Sequence, residues 1–119
     1  MSDAIVIVSA ARTPIGGLLG DLSSLTGWER DAVAIRAALE RVGVPGDAVD
    51  EVLFGSLMAG QGRAPARQAA RKAGLADSAG AVTLSKMCGS GMRAAMFGHD
   101  MLAARSASVV VAGGMESIA

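Results

Sequence analysis

The chain has 119 residues, 51% of them hydrophobic and 18% charged, with 11 basic and 11 acidic side chains. That composition suits one domain with an apolar core. It excludes disorder and argues against nucleic-acid binding, which needs a basic excess. A single cysteine, a single histidine and 3% aromatics exclude an internal disulfide, a cysteine-rich zinc site and a stacking platform for bases.

Met1-Ser2-Asp3 carries no positive charge, and no run approaches the roughly 20 apolar residues of a membrane helix. A soluble, cytoplasmic protein with no membrane contact is therefore expected. Ala4 to Ala10 (AIVIVSA) is apolar and β-branched, the pattern of a strand buried on both faces. Thr13-Pro14-Ile15-Gly16-Gly17 breaks it, and a loop runs to about Leu25. Thr26-Gly27-Trp28-Glu29 matches a capping box. Trp28, Ala32, Ile35, Leu39 and Val42 then mark one helical face, and Gly43 and Pro45 end it. Val52 to Phe54, bounded by Gly55, predicts a second strand. Gly60 to Ala64 reads as a loop. Pro65 and Gly74 bracket a second helix. Ala81 to Leu84 is a third strand, Gly89 to Ala104 a third helix, and Ser108 to Ala112 a fourth strand ended by Gly113-Gly114. The third helix is apolar nearly all round, which predicts cover on every side. The alternation predicts an α/β fold with a mostly parallel sheet and helices on both faces. The last strand looks central, so the chain is expected to be part of a larger unit.

The chemistry concentrates at Leu84-Ser85-Lys86-Met87-Cys88-Gly89-Ser90-Gly91-Met92. A strand leads into this turn and a helix leads out. Cys88 therefore lies at a helix N-terminus, where free N–H groups and the helix dipole favour a thiolate, the reactive form. Gly89 and Gly91 let a substrate approach the sulfur and those N–H groups, which also suit an oxyanion. Two other readings stay open here. A lone cysteine is commonly a small buried hydrophobe. Gly89-x-Gly91-x-x-Ala94 also fits a relaxed dinucleotide fingerprint, with Glu116 in place of its ribose-binding acid.

Met87-Cys88-Gly89-Ser90-Gly91-Met92 resembles the nucleophile motif of the thiolases. So do Ser9-Ala10-Ala11-Arg12-Thr13-Pro14-Ile15-Gly16, Asp50-Glu51-Val52-Leu53-Phe54-Gly55, Ala59-Gly60-Gln61-Gly62 with Pro65 to Ala70, and Val109 to Ser117 at their places in family order. The resemblance implies a partial thiolase N-terminal domain over residues 1–119. It implies a short-chain acetyl-CoA C-acetyltransferase type of activity, a reversible Claisen condensation and thiolysis in which Cys88 is acylated. Coenzyme A thioesters would be substrates, with no permanently bound cofactor and no metal, and the complete enzyme would be a homo-oligomer. The family's histidine in Gly-His-Pro and its second cysteine in Cys-x-Gly do not occur here, nor does most of its coenzyme A pocket. The isolated chain is therefore expected to lack full turnover. A non-catalytic fragment is the further alternative. Two departures stand out. Ser85 replaces a common asparagine, and Arg105-Ser106 replaces Gly-Asp, putting arginine where a helix end favours glycine.

His99 sits eleven residues after Cys88, about 16 Å along one helix at 1.5 Å per residue. It is too far to serve as the base and reads as a packed or surface histidine. Arg63, Arg67 and Arg71 could meet coenzyme A phosphates but read better as a solvated helix face. Met87, Met92, Met96 and Met101 read as core filling rather than a flexible acyl pocket.

Overall fold

The computed structural model describes residues 4–17, 20–21, 24–56 and 63–116. Helix α1 is Gly27–Val42, followed by a 3-10 turn at Gly46–Ala48. Strand β1 is Glu51–Gly55, α2 is Pro65–Lys72, β2 is Gly80–Leu84, α3 is Ser90–Ala103 and β3 is Val110–Gly114. The capping box at α1 forms as its sequence dictates. Thr26 Oγ1 accepts from the Glu29 N–H, and the Glu29 carboxylate accepts from the Thr26 N–H. Pro65 opens α2, and the orphan N–H of Ala66 finds Thr83 Oγ1 on β2 at 3.1 Å.

The strands form one parallel sheet in the order β2-β1-β3. On one face, Val52 and Phe54 of β1 pack with Ala32 and Ile35 of α1 and with Ala66, Ala69 and Ala70 of α2. The alanines keep α2 slim, so it lies close to both sheet and helix. The Arg36 guanidinium of α1 donates to the Lys72 carbonyl at 2.6 Å, capping α2 at its negative end. On the other face, α3 lays Ala94 and Gly98 against the sheet, and the Gly98 position approaches Val110, Ala112 and Leu53. Helices thus cover both faces, as expected. The Asp50 carboxylate accepts from the Ser108 and Val109 N–H groups at 2.7 and 3.1 Å, so β3 is fastened where it enters the sheet. Those two bonds hold the Asp50 carboxyl below its ordinary pKa.

Four expectations fail for want of a neighbour. Residues 4–10 form no strand, and Val6, Ile7 and Val8 are exposed. They pair with neither free edge of the β2-β1-β3 sheet, and β-propensity makes a strand only where a ladder forms. The segment is tied instead by the Arg41 guanidinium, which donates to the Ala10 carbonyl. The last strand, β3, is an edge strand, and β1 is central. Helix α3 buries only the stripe Ser90, Ala94 and Gly98. Met87, Met92 and Met96 are exposed at 71%, 75% and 50%, so they do not fill the core; Met115 does. The loop expected at Gly60 to Ala64 lies partly outside the described residues.

Helices α1, α2 and α3 end in the same way. The N–H groups of Val44, Leu75 and Ser106 reach back to the carbonyls of Leu39, Ala70 and Met101, and those of Gly43, Gly74 and Arg105 to Glu40, Arg71 and Leu102. This is the paired closure that needs a left-handed residue just past the helix. Gly43 and Gly74 supply it with φ of 68° and 89°, but after α3 the residue is Arg105, at φ 63°. The left-handed conformation costs a residue with a Cβ roughly 1–2 kcal/mol.

Asp31 is the other local conflict. It is 5% exposed on α1, and its Oδ2 has no hydrogen-bond partner. It lines a cavity of about 960 Å³ bounded also by residues 5–16, α3 and β3. Burial pushes its carboxyl up to about 8, so the folded protein keeps a proton that the unfolded chain gives up near 3.8.

Two predictions follow from these conflicts. Arg105→Gly should stabilise the chain by about 1 kcal/mol, which raises the thermal midpoint by roughly 4 °C; an unchanged or lower midpoint would remove the strain argument. For Asp31, the unfolded state binds fewer protons between its two pKa values, so stability falls as pH rises through that interval and levels off above about 8. The slope is at most about 1.4 kcal/mol per pH unit. Urea titrations between pH 5 and 8 should show this decline in wild type and a much flatter profile in Asp31→Asn.

Candidate active site

The turn that carries Cys88 joins β2 to α3 at the C-terminal edge of the parallel sheet. Ligands of open α/β sheets collect at that edge. β1 ends on Gly55 and β3 on Gly114, and both ends meet the start of α3. A Cβ on Gly55 would fall 2.5 Å from the Ser90 carbonyl carbon and 2.6 Å from its Cβ, so only glycine fits. A Cβ on Gly114 would lie 3.5 Å from the Gly55 oxygen and 3.6 Å from the Gly91 Cα, an ordinary contact. The strand ends are themselves tied together. The Met115 N–H donates to the Gly55 carbonyl at 2.9 Å, and the Ser56 N–H to the Leu84 carbonyl at 3.0 Å.

Within the turn, the Gly89 N–H donates to the Lys86 carbonyl at 3.0 Å and the Ser90 N–H to the Met87 carbonyl at 3.2 Å. Met87 has a left-handed backbone, φ 50°, an unfavourable state for a side chain of its size. Ser90 is 5% exposed. Its hydroxyl accepts from the Lys86 N–H at 2.7 Å and donates to the Met87 carbonyl at 2.6 Å. Cys88 itself is free and exposed, so it is not the small buried hydrophobe that a lone cysteine can be. It precedes the α3 N-cap, Gly89, which has no side-chain cap. As the second and third residues of the helix, Gly91 and Met92 have N–H groups without an intrahelical partner. A Cβ on Gly91 would meet nothing within 4 Å, so the approach to these groups is open. The arrangement brings an exposed thiol together with backbone N–H groups that have no intrahelical partner.

Of the other residues singled out in the sequence, Ser85 lies within this turn, while Arg67 and Arg71 sit on α2 and His99 near the far end of α3. His99 is a surface residue whose Nδ1 lies 3.2 Å from the Asp100 carboxylate. Arg71 pairs with Asp77 at 3.1 Å with both side chains largely in solvent, a solvated helix face. Arg63 is exposed and Arg67 half-buried. Arg93 lies over the Phe97 ring at 5.4 Å. Glu116 lies two residues beyond the end of β3 and is exposed, as is Ser85. Sequence reading passed over Ser90 and Gly55. The one available signal was a serine at the first helical position after a glycine, and its partners come into view only with the fold.

A family model described as the thiolase N-terminal domain matches residues 5–119. A mitochondrial acetyl-CoA acetyltransferase of Xenopus tropicalis is 52% identical over 115 residues, 96% of this chain and 27% of that protein. An acetyl-CoA acetyltransferase of Cupriavidus necator is 49% identical over 96% of this chain and 29% of its own length. A cytosolic acetyl-CoA acetyltransferase of Gibberella zeae is 46% identical with the same coverage. The chain therefore spans less than a third of the length of these curated relatives.

The exposure of Cys88 makes a direct prediction. A bulky disulfide reagent should titrate close to one thiol per native chain without denaturant. Labelling that requires urea would mean that the sulfur is covered.

Proposed function

The chain belongs to the thiolase family through its N-terminal domain, and from that premise we propose that it carries the nucleophile of an acyltransferase acting on short-chain coenzyme A thioesters. The observation that carries the proposal is an exposed, free Cys88 at the open N-terminus of α3, within the motif Cys88-Gly89-Ser90-Gly91. The names of the acetyl-CoA acetyltransferases that it resembles agree with this substrate class.

In the proposed reaction the Cys88 thiolate attacks the carbonyl carbon of an acetyl thioester. The carbon–sulfur bond to coenzyme A breaks, coenzyme A leaves as a thiolate and takes a proton, and Cys88 holds the acetyl group. The N–H groups at the start of α3 stabilise the oxyanion that forms on the way. A second acetyl-CoA loses an α-proton to a base, and its carbanion attacks the acetyl carbon. Acetoacetyl-CoA leaves and the Cys88 thiolate returns. Thiolysis is the same sequence reversed.

These 119 residues supply the nucleophile and the oxyanion donors but not the base. His99 lies about 16 Å along α3 from the cysteine turn, beyond the roughly 3 Å reach of direct proton transfer. The Gly-His-Pro and Cys-x-Gly motifs of the family occur nowhere in the sequence. Residues 1–119 are thus read as the nucleophile-bearing part of an N-terminal domain whose complete form is a homo-oligomer. No helix among the described residues is long and apolar enough to cross a membrane. The relatives named above include mitochondrial and cytosolic proteins.

Incubation with acetyl-CoA should add one acetyl mass at Cys88, slowly, and none in Cys88→Ala. Thiolysis of acetoacetyl-CoA, followed by loss of its enolate absorbance, should show no turnover by this chain alone. Turnover should appear when the remainder of a thiolase is supplied in the same chain or as a separate piece. Acetylation that survives Cys88→Ala would overturn the nucleophile assignment. Robust turnover by these residues alone would overturn the claim that the base lies elsewhere.

A further inference from the structure

We infer that Ser90 is the positioning residue of the cysteine turn, the side chain that sets the direction of Cys88 relative to the free N–H groups of α3. The inference rests on the reading of Cys88 as the nucleophile and adds to it the group that holds the nucleophile in place.

Three observations converge on Ser90. The first is its hydrogen bonding. One hydroxyl both accepts from Lys86 N at 2.7 Å and donates to the Met87 carbonyl at 2.6 Å. These two groups lie in the two residues immediately before Cys88, so the hydroxyl spans the cysteine from the far side of the turn. The second is burial. Ser90 is 5% exposed in a turn whose neighbours Lys86, Met87 and Cys88 are all exposed. The cysteine therefore moves against a fixed point, and that point is Ser90. The third is the wall behind it. The Gly55 position, at the end of the central strand, sits so close to Ser90 that no Cβ fits between them. The sheet thus locates Ser90, and Ser90 locates the turn.

The left-handed Met87 shows what the hydroxyl holds. Its φ of 50° is unfavourable for a methionine and persists only when its surroundings impose it. The Ser90 N–H and hydroxyl both bond the Met87 carbonyl. Loss of the hydroxyl leaves the Lys86 N–H without its acceptor and the Met87 carbonyl with one donor instead of two. The turn can then relax away from the left-handed state and shift Cys88 relative to the start of α3. Because Cys88 is already exposed, relaxation adds little access and removes alignment with the helix dipole and its donors.

The test uses the 119-residue chain and iodoacetamide, with Cys88 alkylation read by mass and corrected for the folded fraction. Ser90→Ala should slow alkylation roughly three- to tenfold, the worth of one ordered hydrogen bond. Ser90→Thr, which keeps the hydroxyl, should stay within about twofold of wild type, on the same scale. A residue that only supports stability would lower the urea midpoint in Ser90→Ala and leave the rate of the folded fraction unchanged, and that result overturns the inference. If Ser90→Ala does not fold, amide exchange in wild type decides. The Lys86 N–H should be strongly protected although its residue is exposed, and unprotected exchange overturns the inference. Acetyl-CoA provides a separate arm. If wild type is alkylated with the Ser90 dependence but never acetylated at Cys88, the acyltransferase reading fails while the positioning of the turn stands. If it is acetylated and alkylation ignores Ser90, the positioning fails while the acyltransferase reading stands.

Discussion

The structure depends on one close approach, that of the first turn of α3 to the ends of β1 and β3. Gly55 permits it, since any side chain there would overlap the Ser90 backbone. On the neighbouring strand Gly114 lies beside α3, where a Cβ would sit 3.6 Å from the Gly91 Cα. With no side chains in the way, a helix N-terminus comes down onto the carboxyl edge of a parallel sheet. The turn between β2 and α3 must then be tight, and the cysteine is among its exposed residues. Helix placement and site formation are the same event.

That tightness carries a cost in backbone conformation. Met87 takes a left-handed backbone, and Arg105 takes another at the far end of the same helix. The two serve different ends. Met87 lies in the turn that presents Cys88, where local strain commonly accompanies a functional geometry. Arg105 closes a helix whose counterparts α1 and α2 use glycine for the same closure. Nothing in the geometry of α3 requires arginine there. Asp31 belongs with Arg105 as a local cost, since burial without a partner for its Oδ2 disfavours the charged form that water would favour.

The apolar surface falls into two parts. One is the compact core of α1, α2 and the Val52–Phe54 face of the sheet. The other is open. It comprises the unpaired segment around Ile7 and the methionine-bearing face of α3. Both open surfaces have compositions that elsewhere lie inside proteins. They adjoin a chain that spans 27% to 29% of the length of relatives such as those from Xenopus tropicalis and Cupriavidus necator. An exposed Cys88 beside such surfaces agrees with the division of labour proposed above, with the base carried by other residues.

Much of this was legible from the residues in order. The capping box at Thr26, the apolar spacing through α1, the proline that opens α2 and the glycine before α3 are local signals, and each acts within a few residues of itself. They place the helices, three of the strands and the cysteine turn. The unfavourable backbone at Arg105 was also legible, because helix termination is decided by the last turn. What the sequence could not decide was which strand would be central, whether residues 4–10 would find a ladder, and which face of α3 would be covered. Those outcomes depend on neighbours far away in the chain, and an apolar β-branched run looks the same with a partner or without one. The role of Ser90 belongs to the second kind. A serine after a glycine is an ordinary helix start until the end of β1 is brought against it, and only the packed sheet does that.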